Sequence, residues 1–394
     1  MAASLTRWGI LGCGKISADF ATALIRTEGT SVVAVAGRSA SASSTTAFAA
    51  DLVARQKGGA PIAACDYDSL AARDDVDIVY VGNVNTAHFA STMKCIEAGK
   101  HVLVEKPIGV NYAEAAALVK AAREKGVFLM EGLWTRFLPA VVKARSIIEG
   151  GELGDVVAVH GDFGFRCDDA TDSRMFDPAL AGGGLLDIGI YPLGFASMAF
   201  GGAMPTEIKA VGTTHPVTGV DTSAGITALF PPSSSGSSSS STTSSGGGDA
   251  DPLAGPGLAV ITYNLRGFTP EEVVIVGTKA RLVIKGPAHI ATKLALTKPD
   301  GRSGMAEETF DLPLPEPDAS FEYNYPGSEG FQFQIEEVQR CLAAKLTECP
   351  GYGHAEMLNI ARTMEEARRQ LGVAYPADAA KPAIDVDTPI VAQT

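Results

Sequence analysis

The sequence is poor in basic residues for its length. Its 394 residues include 32 lysines and arginines against 45 aspartates and glutamates, so the formal net charge is −13 at pH 7. Nucleic acids and anionic lipid surfaces are bound through clusters of positive charge. The charge balance therefore argues against a nucleic-acid partner and against a membrane partner.

Long apolar runs are also missing. None reaches the roughly 18–20 residues that a membrane-spanning helix requires, and the richest stretch, 190–205, is interrupted by glycine and proline. About six residues precede the first strand-like segment, so we expect neither a secretory signal nor a transit peptide. We therefore expect a cytoplasmic protein.

Metal-binding and disulfide patterns are absent as well. The six cysteines are scattered without CxxC pairs, and His88, His101 and His160 show no metal-ligand spacing. In a chain of this length, isolated cysteines are typical of reduced thiols rather than of a disulfide framework or a zinc site. We therefore expect no metal site.

In the first 130 residues, short apolar runs alternate with longer segments of helix length. Short apolar runs, of the length of buried strands, lie at 8–11, 32–36, 78–81 and 102–104. Segments of helix length follow them at 16–26, 41–55, 86–98 and 112–125. Strands that alternate with helices indicate βαβ units and a parallel sheet. We predict an α/β chain whose first domain, residues 1–130, is a Rossmann domain with a doubly wound parallel sheet.

After about residue 130 the pattern changes to strands without intervening helices. The strand-like runs lie at 156–163, 207–212, 222–230, 258–264, 272–276 and 281–284. Helices are predicted at 140–149, at 183–200 and in two C-terminal segments with helical apolar spacing, 331–346 and 357–371. This succession predicts a second, α+β domain over residues 131–394 with an open, mainly antiparallel sheet.

One segment, 231–257, consists mostly of serine and glycine with some proline. Such a composition cannot bury enough apolar area to offset the entropy lost on ordering. We expect a flexible loop between two paired strands. The functional alternative is a phosphorylated regulatory loop.

A glycine motif follows the first predicted strand and opens the first helix. It has the GxGxxG pattern with Ser17 as the small last residue. The first glycine permits a tight turn, and the second lets the backbone approach a pyrophosphate at the helix N-terminus. The motif predicts a dinucleotide site that includes Gly12, Gly14, Lys15 and Ile16.

The end of the second predicted strand indicates which dinucleotide binds. An NAD site places an acidic residue about 20 residues past the glycines to hold the ribose 2′-hydroxyl, but no acid stands here. The guanidinium of Arg38 can instead pair with a 2′-phosphate, and Ser39 can add a hydroxyl. We therefore predict NADP as the cofactor, the alternative being that Arg38 is a solvated loop residue.

Two further groups of residues carry candidate chemistry. Glu105, Lys106 and Pro107 follow the strand at 102–104, and the carboxyl edge of a doubly wound sheet is where ligands bind. Lys106 can there meet a nicotinamide ribose and a substrate hydroxyl. Asp187 and Tyr191 lie four residues apart, so on a helix they share one face and can reach the same cavity.

These features in this order resemble the glucose–fructose oxidoreductase/inositol dehydrogenase family of NAD(P)-dependent enzymes. The resemblance implies that Lys106 is catalytic. The family commonly has histidine where this chain has Tyr191, which changes the expected chemistry. A phenol of pKa about 10 needs a neighbouring cation to act as acid and base, and we expect Lys106 to be that cation. Asp187 is expected to orient Lys106 or the substrate.

Further motifs lie at 131–139, 177–184, 187–192, 347–350 and 365–372. They extend the resemblance to a branch of the family, the dimeric dihydrodiol dehydrogenases, which are also described as NADP-dependent D-xylose dehydrogenases. It runs from about residue 7 to about residue 376 and departs at the serine/glycine segment and at Val84. It implies a homodimer and a small-molecule substrate. It also implies substrate contacts by Trp134, Phe163 and Tyr191, and further cofactor contacts by Asn83, Asn85, His88, Glu105, Lys106, Trp134 and Arg136.

The sequence thus predicts an NADP-dependent oxidoreductase that transfers hydride between nicotinamide and a carbinol carbon of a trans-dihydrodiol or of an aldopentose such as D-xylose. Tyr191 is expected to take the hydroxyl proton. Two alternatives stay open, namely another sugar or polyol oxidoreductase of the same family and a non-catalytic NADPH-sensing regulatory protein. The second would be expected to lose Lys106 or the Asp187–Tyr191 pair, and all three residues are present.

Overall fold

Two β-sheets organise the chain. The computed structural model describes residues 5–167, 173–232, 255–318, 320–380 and 382, and it contains one sheet of six strands and one of eight. The α/β architecture predicted from the sequence is confirmed. The division into domains near residue 130 stays a prediction, although the first sheet ends with a strand at Leu129–Gly132.

The first sheet is parallel throughout. Its strands are β1 (Thr6–Leu11), β2 (Thr30–Gly37), β3 (Ala63–Asp66), β4 (Ile78–Val81), β5 (His101–Glu105) and β6 (Leu129–Gly132). They are connected by α1 (Lys15–Arg26), α2 (Ser43–Arg55), α3 (Tyr67–Ala71), α4 (Asn85–Glu97) and α5 (Tyr112–Lys125). The strand order is β3-β2-β1-β4-β5-β6. This order reverses between β1 and β4, and the crevice at their carboxyl ends is where a dinucleotide binds in such a sheet.

The second sheet is antiparallel except where β7 and β10 pair in parallel. Its order is β14-β13-β12-β11-β7-β10-β9-β8. The strands are β7 (Val156–Gly164), β8 (Glu207–Thr214), β9 (Asp221–Phe230), β10 (Gly257–Asn264), β11 (Val273–Gly277), β12 (Arg281–Ile284), β13 (Lys293–Asp300) and β14 (Gly304–Asp311). The prediction of a mainly antiparallel sheet is confirmed.

Four helices accompany the second sheet: α6 (Pro139–Glu149), α7 (Ile190–Ala199), α8 (Phe331–Ala343) and α9 (His354–Leu371). Helix α7 is buried along its whole length and packs on β7. The stretch Pro178–Ala199 is apolar and long enough to cross a membrane by composition alone, but 83% of its most apolar window is buried, as in the core helix of a soluble protein. Helix α8 returns to the first domain and packs on α1.

The turn before α7 differs from the predicted helix at 183–200. Residues Leu185–Gly189 form a π-helical turn, and the α-helix begins only at Ile190. The chain enters this turn through Gly183, whose φ of +121° is a conformation that favours glycine. The backbone N–H of Leu185 donates to the buried carboxylate of Asp221 at 2.6 Å. This entry fixes where Asp187 and Tyr191 lie.

The predicted serine/glycine loop falls largely on residues 233–254, which lie outside the described part of the chain. The strands that flank it are antiparallel neighbours in which Phe230 pairs with Gly257, so the prediction that the segment joins two paired strands is confirmed. Gly257 belongs to β10 rather than to the loop.

Deleting Ser233–Gly248 and closing the chain with a short turn should leave folding and turnover unchanged. Loop-closure entropy changes by only about 0.6 kcal/mol for each doubling of loop length. Thermal unfolding and steady-state activity of the deletion variant, measured beside the full chain, test this. A large fall in either would show that the segment has a structural or functional role.

Candidate active site

The glycine motif forms an open cradle at the carboxyl end of β1. Gly12 has φ +104°, and a Cβ there would lie 2.8 Å from the carbonyl oxygen of Gly82, so the turn requires glycine. Helix α1 begins at Lys15, and Gly14 before it supplies no side-chain cap. Gly14 and Lys15 are exposed, Ile16 is half-buried, and a Cβ on Gly14 would meet nothing within 4 Å. The uncapped N–H groups at the helix start fit a pyrophosphate.

The two residues after β2 lie beside this cradle, because β2 is the neighbour of β1. Arg38 and Ser39 are both exposed. No described residue pairs with the guanidinium of Arg38, and the Ser39 hydroxyl lies 3.2 Å from that of Ser41. Asp66 on β3 pairs with Gly37 at the end of β2, which makes it the acidic residue nearest to Arg38 in the strand pairing. Its carboxylate already accepts a hydrogen bond from the backbone N–H of Ser69 at 2.8 Å.

The segment after β4 contacts the loop after β5. The two ring nitrogens of His88 lie 2.7 Å from the carbonyl oxygen of Pro107 and 3.1 Å from that of Asn83. Burial lowers the pKa of His88 to about 4. Asn83 donates to the Ser91 hydroxyl at 2.8 Å, and its own Oδ1 is buried without a partner in the described residues. Asn85 donates to the carbonyl oxygen of Ala181 at 3.3 Å. The position of His88 therefore ties the two loops together.

Lys106, Asp187 and Tyr191 meet at the carboxyl end of β5. The ammonium of Lys106 donates to the carbonyl oxygen of Asp187 at 2.6 Å and lies 3.4 Å from its Oδ1. It also stands 5.3 Å from the centre of the Tyr191 ring. A second cation, Arg174, binds the same Oδ1 at 3.0 Å. The sequence thus predicted the three residues that meet here, but not Arg174.

Burial and charge act against each other at this cluster. Burial has the largest single effect on Lys106 and lowers its pKa, but Asp187, Tyr191 and Glu105 together outweigh it, so the net pKa is raised. Burial disfavours the ionised form of Asp187, yet Lys106 and Arg174 hold the pKa of this carboxyl below its usual value. Burial raises the pKa of Tyr191, and the charge of Lys106 opposes that rise. The cluster therefore holds a carboxylate, an ammonium and a protonated phenol.

Aromatic rings surround the phenol. The indole N–H of Trp134 donates to the Tyr191 hydroxyl oxygen at 3.2 Å. The Phe163 ring lies 5.6 Å from the Tyr191 ring at an interplanar angle of 52°. Phe331, the first residue of α8, packs against Trp134, with the two ring centres 4.7 Å apart. The structure therefore brings the three predicted substrate residues together, and no described residue accepts a hydrogen bond from the phenol.

Arg136 lies among protein partners. Its guanidinium contacts both carboxylate oxygens of Glu356, at 2.8 and 3.1 Å, and donates to the carbonyl oxygens of Gly194 and Gly351. The residue is 2% exposed. Arg136 thus ties the turn at 134–137 to α7 and α9, and its contact with a cofactor stays a prediction.

Buried carboxyls support the loop that carries Lys106. Glu105 accepts from the Tyr80 hydroxyl at 2.8 Å, and burial raises its pKa to about 7. Glu131 accepts from the backbone N–H of Ile108 at 2.7 Å and from the Tyr352 hydroxyl, and burial raises its pKa to about 7 as well. Glu105 is thus buried and bonded to protein groups, and its contact with a cofactor stays a prediction.

Sequence reasoning missed two residues at the site. Arg174 lies in a short 3-10 turn, Arg174–Phe176, and His289 in another, Ala288–Ile290. His289 stacks on Phe163 with ring centres 4.4 Å apart. No motif or periodicity marks either residue, because isolated turns carry no repeating pattern.

Comparison with known proteins adds to this geometry. The NAD-binding Rossmann-fold domain of the GFO/IDH/MocA oxidoreductase family matches residues 6–133, and the GFO/IDH/MocA C-terminal domain matches residues 141–283. Relatives named trans-1,2-dihydrobenzene-1,2-diol dehydrogenase are 36% identical over 374 residues in Danio rerio and 34% identical over 375 residues in Homo sapiens. Both alignments cover 94% of this chain and 98% of the relative.

Solved structures share the fold. A levoglucosan dehydrogenase in complex with NADH and levoglucosan has a TM-score of 0.73 at 18% identity. A 3-ketoreductase from Actinomadura kijaniata in complex with NADP and TDP-benzene has a TM-score of 0.69 at 22% identity. Each covers 93% of this chain and 97% of its own.

Proposed function

The chain belongs to the GFO/IDH/MocA family of oxidoreductases, and from this premise we propose an NADP-dependent dehydrogenase that acts on a carbinol carbon of a trans-dihydrodiol or of an aldopentose such as D-xylose. The contact of Lys106 with Asp187 beneath the Tyr191 ring carries the proposal. The relatives are named trans-1,2-dihydrobenzene-1,2-diol dehydrogenase, which supports a trans-dihydrodiol as the substrate. The aldopentose rests on the resemblance of the sequence alone.

The chain's residues would hold the cofactor at the crevice between β1 and β4. The N–H groups at the start of α1 would bind the pyrophosphate, and Arg38 with Ser39 would bind the 2′-phosphate. When bound, the oxidised nicotinamide supplies the acceptor for the hydride. Two observations fit this group: the glycine cradle is exposed, and the Arg38 guanidinium pairs with no residue in the described part of the chain.

Proton transfer falls to Tyr191. In its ionised form, its oxygen takes the proton of the substrate hydroxyl as the hydride leaves the carbinol carbon, and the phenol returns that proton when the reaction runs in reverse. The positive charge of Lys106 stabilises the phenolate form of Tyr191, and the indole N–H of Trp134 donates to the same oxygen. Asp187 holds Lys106 in place. A dihydrodiol would yield a ketone that tautomerises to a catechol, and an aldopyranose oxidised at C1 would yield a lactone.

A substrate screen tests the proposal. Purified protein is mixed with NADP or NAD and with the trans-dihydrodiol of benzene, D-xylose and other polyols, and the absorbance of the reduced nicotinamide is followed. We expect reduction of NADP with the dihydrodiol or D-xylose. Turnover of another polyol only would favour the alternative oxidoreductase, and no turnover of any would favour the NADPH-sensing alternative.

Replacing Arg38 should change the cofactor preference. A hydrogen bond to a charged group contributes roughly 1.5–3 kcal/mol, so Arg38→Ala should weaken NADP binding by about 10- to 150-fold and leave NAD nearly unaffected. Fluorescence titration with both dinucleotides measures this. The control is Arg302→Ala, which removes an exposed arginine between β13 and β14. Equal weakening of both dinucleotides would remove the main support for NADP.

We further propose a cytoplasmic homodimer that forms through the outer face of the second sheet. The inner face packs on α7, because a Cβ on Gly161 would lie 3.3 Å from Pro192. On β10, Ile261 pairs with Gly161, so the alternate residues Leu258 and Val260 point outward and are not fully buried. Sedimentation velocity distinguishes the dimer from a monomer.

A further inference from the structure

A histidine that lies outside the Lys106–Asp187–Tyr191 cluster forms part of the same crevice. His289 belongs to the turn between β12 and β13. Its ring stacks on Phe163 with an interplanar angle of 18° and stands 5.8 Å from the Tyr191 ring, centre to centre. Its side chain is 23% exposed. The imidazole therefore lies against two predicted substrate residues, and about a quarter of its side chain stays exposed.

The orientation of this ring is set by Glu271. The carboxylate of Glu271 lies 2.9 Å from Nδ1 of His289. Glu271 has φ +55°, which is uncommon for a residue other than glycine. Its backbone N–H donates to the carboxylate of Asp162 on β7 at 2.8 Å. The fold thus holds a strained residue where its carboxylate meets the imidazole.

The hydrogen bond to Glu271 decides what the other ring nitrogen can do. A carboxylate only accepts, so Nδ1 carries the proton and Nε2 of the neutral ring is an acceptor. No residue in the described ranges hydrogen-bonds Nε2. The turn itself is fixed, because the Thr135 hydroxyl donates to the backbone carbonyl of His289. Nε2 is therefore an acceptor of fixed orientation that has no donor among the described residues.

We propose that Nε2 of His289 accepts a hydrogen bond from a second hydroxyl of the substrate, on a carbon next to the carbinol carbon that reacts. This inference deepens the proposed function and rests on it. A site built to bond a hydroxyl discriminates against an analogue without it, since the acceptor is then left unpaired. His289 would thus select vicinal diols and sugars over simple alcohols, while Phe163 supplies the flat apolar wall.

Binding to the NADP-loaded protein tests the inference separately from turnover. The probes are trans-cyclohexane-1,2-diol and cyclohexanol, and the readout is quenching of the fluorescence of Trp134, which donates to Tyr191 in the crevice. We expect the parent protein to bind the diol more tightly. In His289→Phe, which keeps the stack on Phe163 and removes the acceptor, the preference should fall by about 3- to 10-fold, the range of a neutral hydrogen bond.

Two controls separate this role from a structural one. His160→Phe makes the same change at an exposed position on β7 and should keep the diol preference. Thermal unfolding of each variant reports on the fold. An unchanged preference in His289→Phe, equal binding of the two probes by the parent protein, or no saturable diol binding would overturn the inference. Failure of the proposed function would show differently, as selective diol binding without reduction of NADP for any substrate.

Discussion

Tyr191→Phe should lower kcat by about 10²- to 10⁴-fold, the usual contribution of general acid–base catalysis, while NADPH binding stays close to that of the parent protein. The substitution keeps the ring that lies 5.6 Å from Phe163 and removes only the oxygen that receives the Trp134 hydrogen bond. An unperturbed phenol is almost wholly protonated at neutral pH, and burial raises the pKa of Tyr191 further. Catalysis by Tyr191 therefore depends on the positive charge of Lys106, which opposes the rise in the phenol pKa.

Steady-state kcat and fluorescence titration with NADPH measure the two halves of this prediction. Tyr67→Phe, at a half-buried tyrosine on α3, is the matched control and should change neither. Turnover of Tyr191→Phe near that of the parent protein would contradict the assignment. Lys106 or Asp187 would then carry the proton.

Lys106→Met should lower kcat by about 10²- to 10³-fold, as the loss of one group that stabilises developing charge does in other enzymes. Methionine keeps much of the length of the side chain and removes the ammonium that contacts Asp187. Asp187 would retain Arg174 as its cation, so the fold should hold. We therefore expect Lys106→Met to have a lower kcat but an unchanged fold.

The pH profile of Lys106→Met carries a second expectation. The charge of Lys106 lowers the pKa of Tyr191 against the opposing effect of burial, so without it the phenol titrates at higher pH. Oxidation needs the phenolate, and its rate rises as the pH passes the phenol pKa. The alkaline-going limb of kcat should therefore move to higher pH. Lys120→Met, at an exposed lysine of α5, should leave the profile in place. An unmoved limb in Lys106→Met would show that Lys106 does not tune the phenol.

The sequence predicted most of the parallel sheet because its strands are buried on both faces and read as continuous apolar runs. Two short strands of this sheet, β3 and β6, were not predicted. Strand β3 consists of four residues with two alanines and an aspartate, and β6 contains the buried Glu131. In the second sheet, β13 and β14 were not predicted. Nearly all residues of β14 are exposed, so no face of this strand is marked by apolar side chains.

The site was predictable where a motif carried it. Lys106 follows a strand of the parallel sheet, and Asp187 and Tyr191 keep the spacing of one helical face, although the turn that holds Asp187 is a π-helix. Arg174 and His289 could not be found in this way, because long-range packing brings each of their turns to the site. The ion pair of Arg136 with Glu356 joins residues 220 positions apart, which no local pattern reveals.

The most direct test of the central claim is a comparison of NADPH formation by the parent protein and by Lys106→Met, each incubated with NADP and the trans-dihydrodiol of benzene. Absorbance of NADPH reports hydride transfer, and chromatography of the mixture reports the catechol. We expect the parent protein to form one NADPH for each diol consumed and Lys106→Met to form it at least about 10²-fold more slowly. Equal rates in the two proteins would contradict the account.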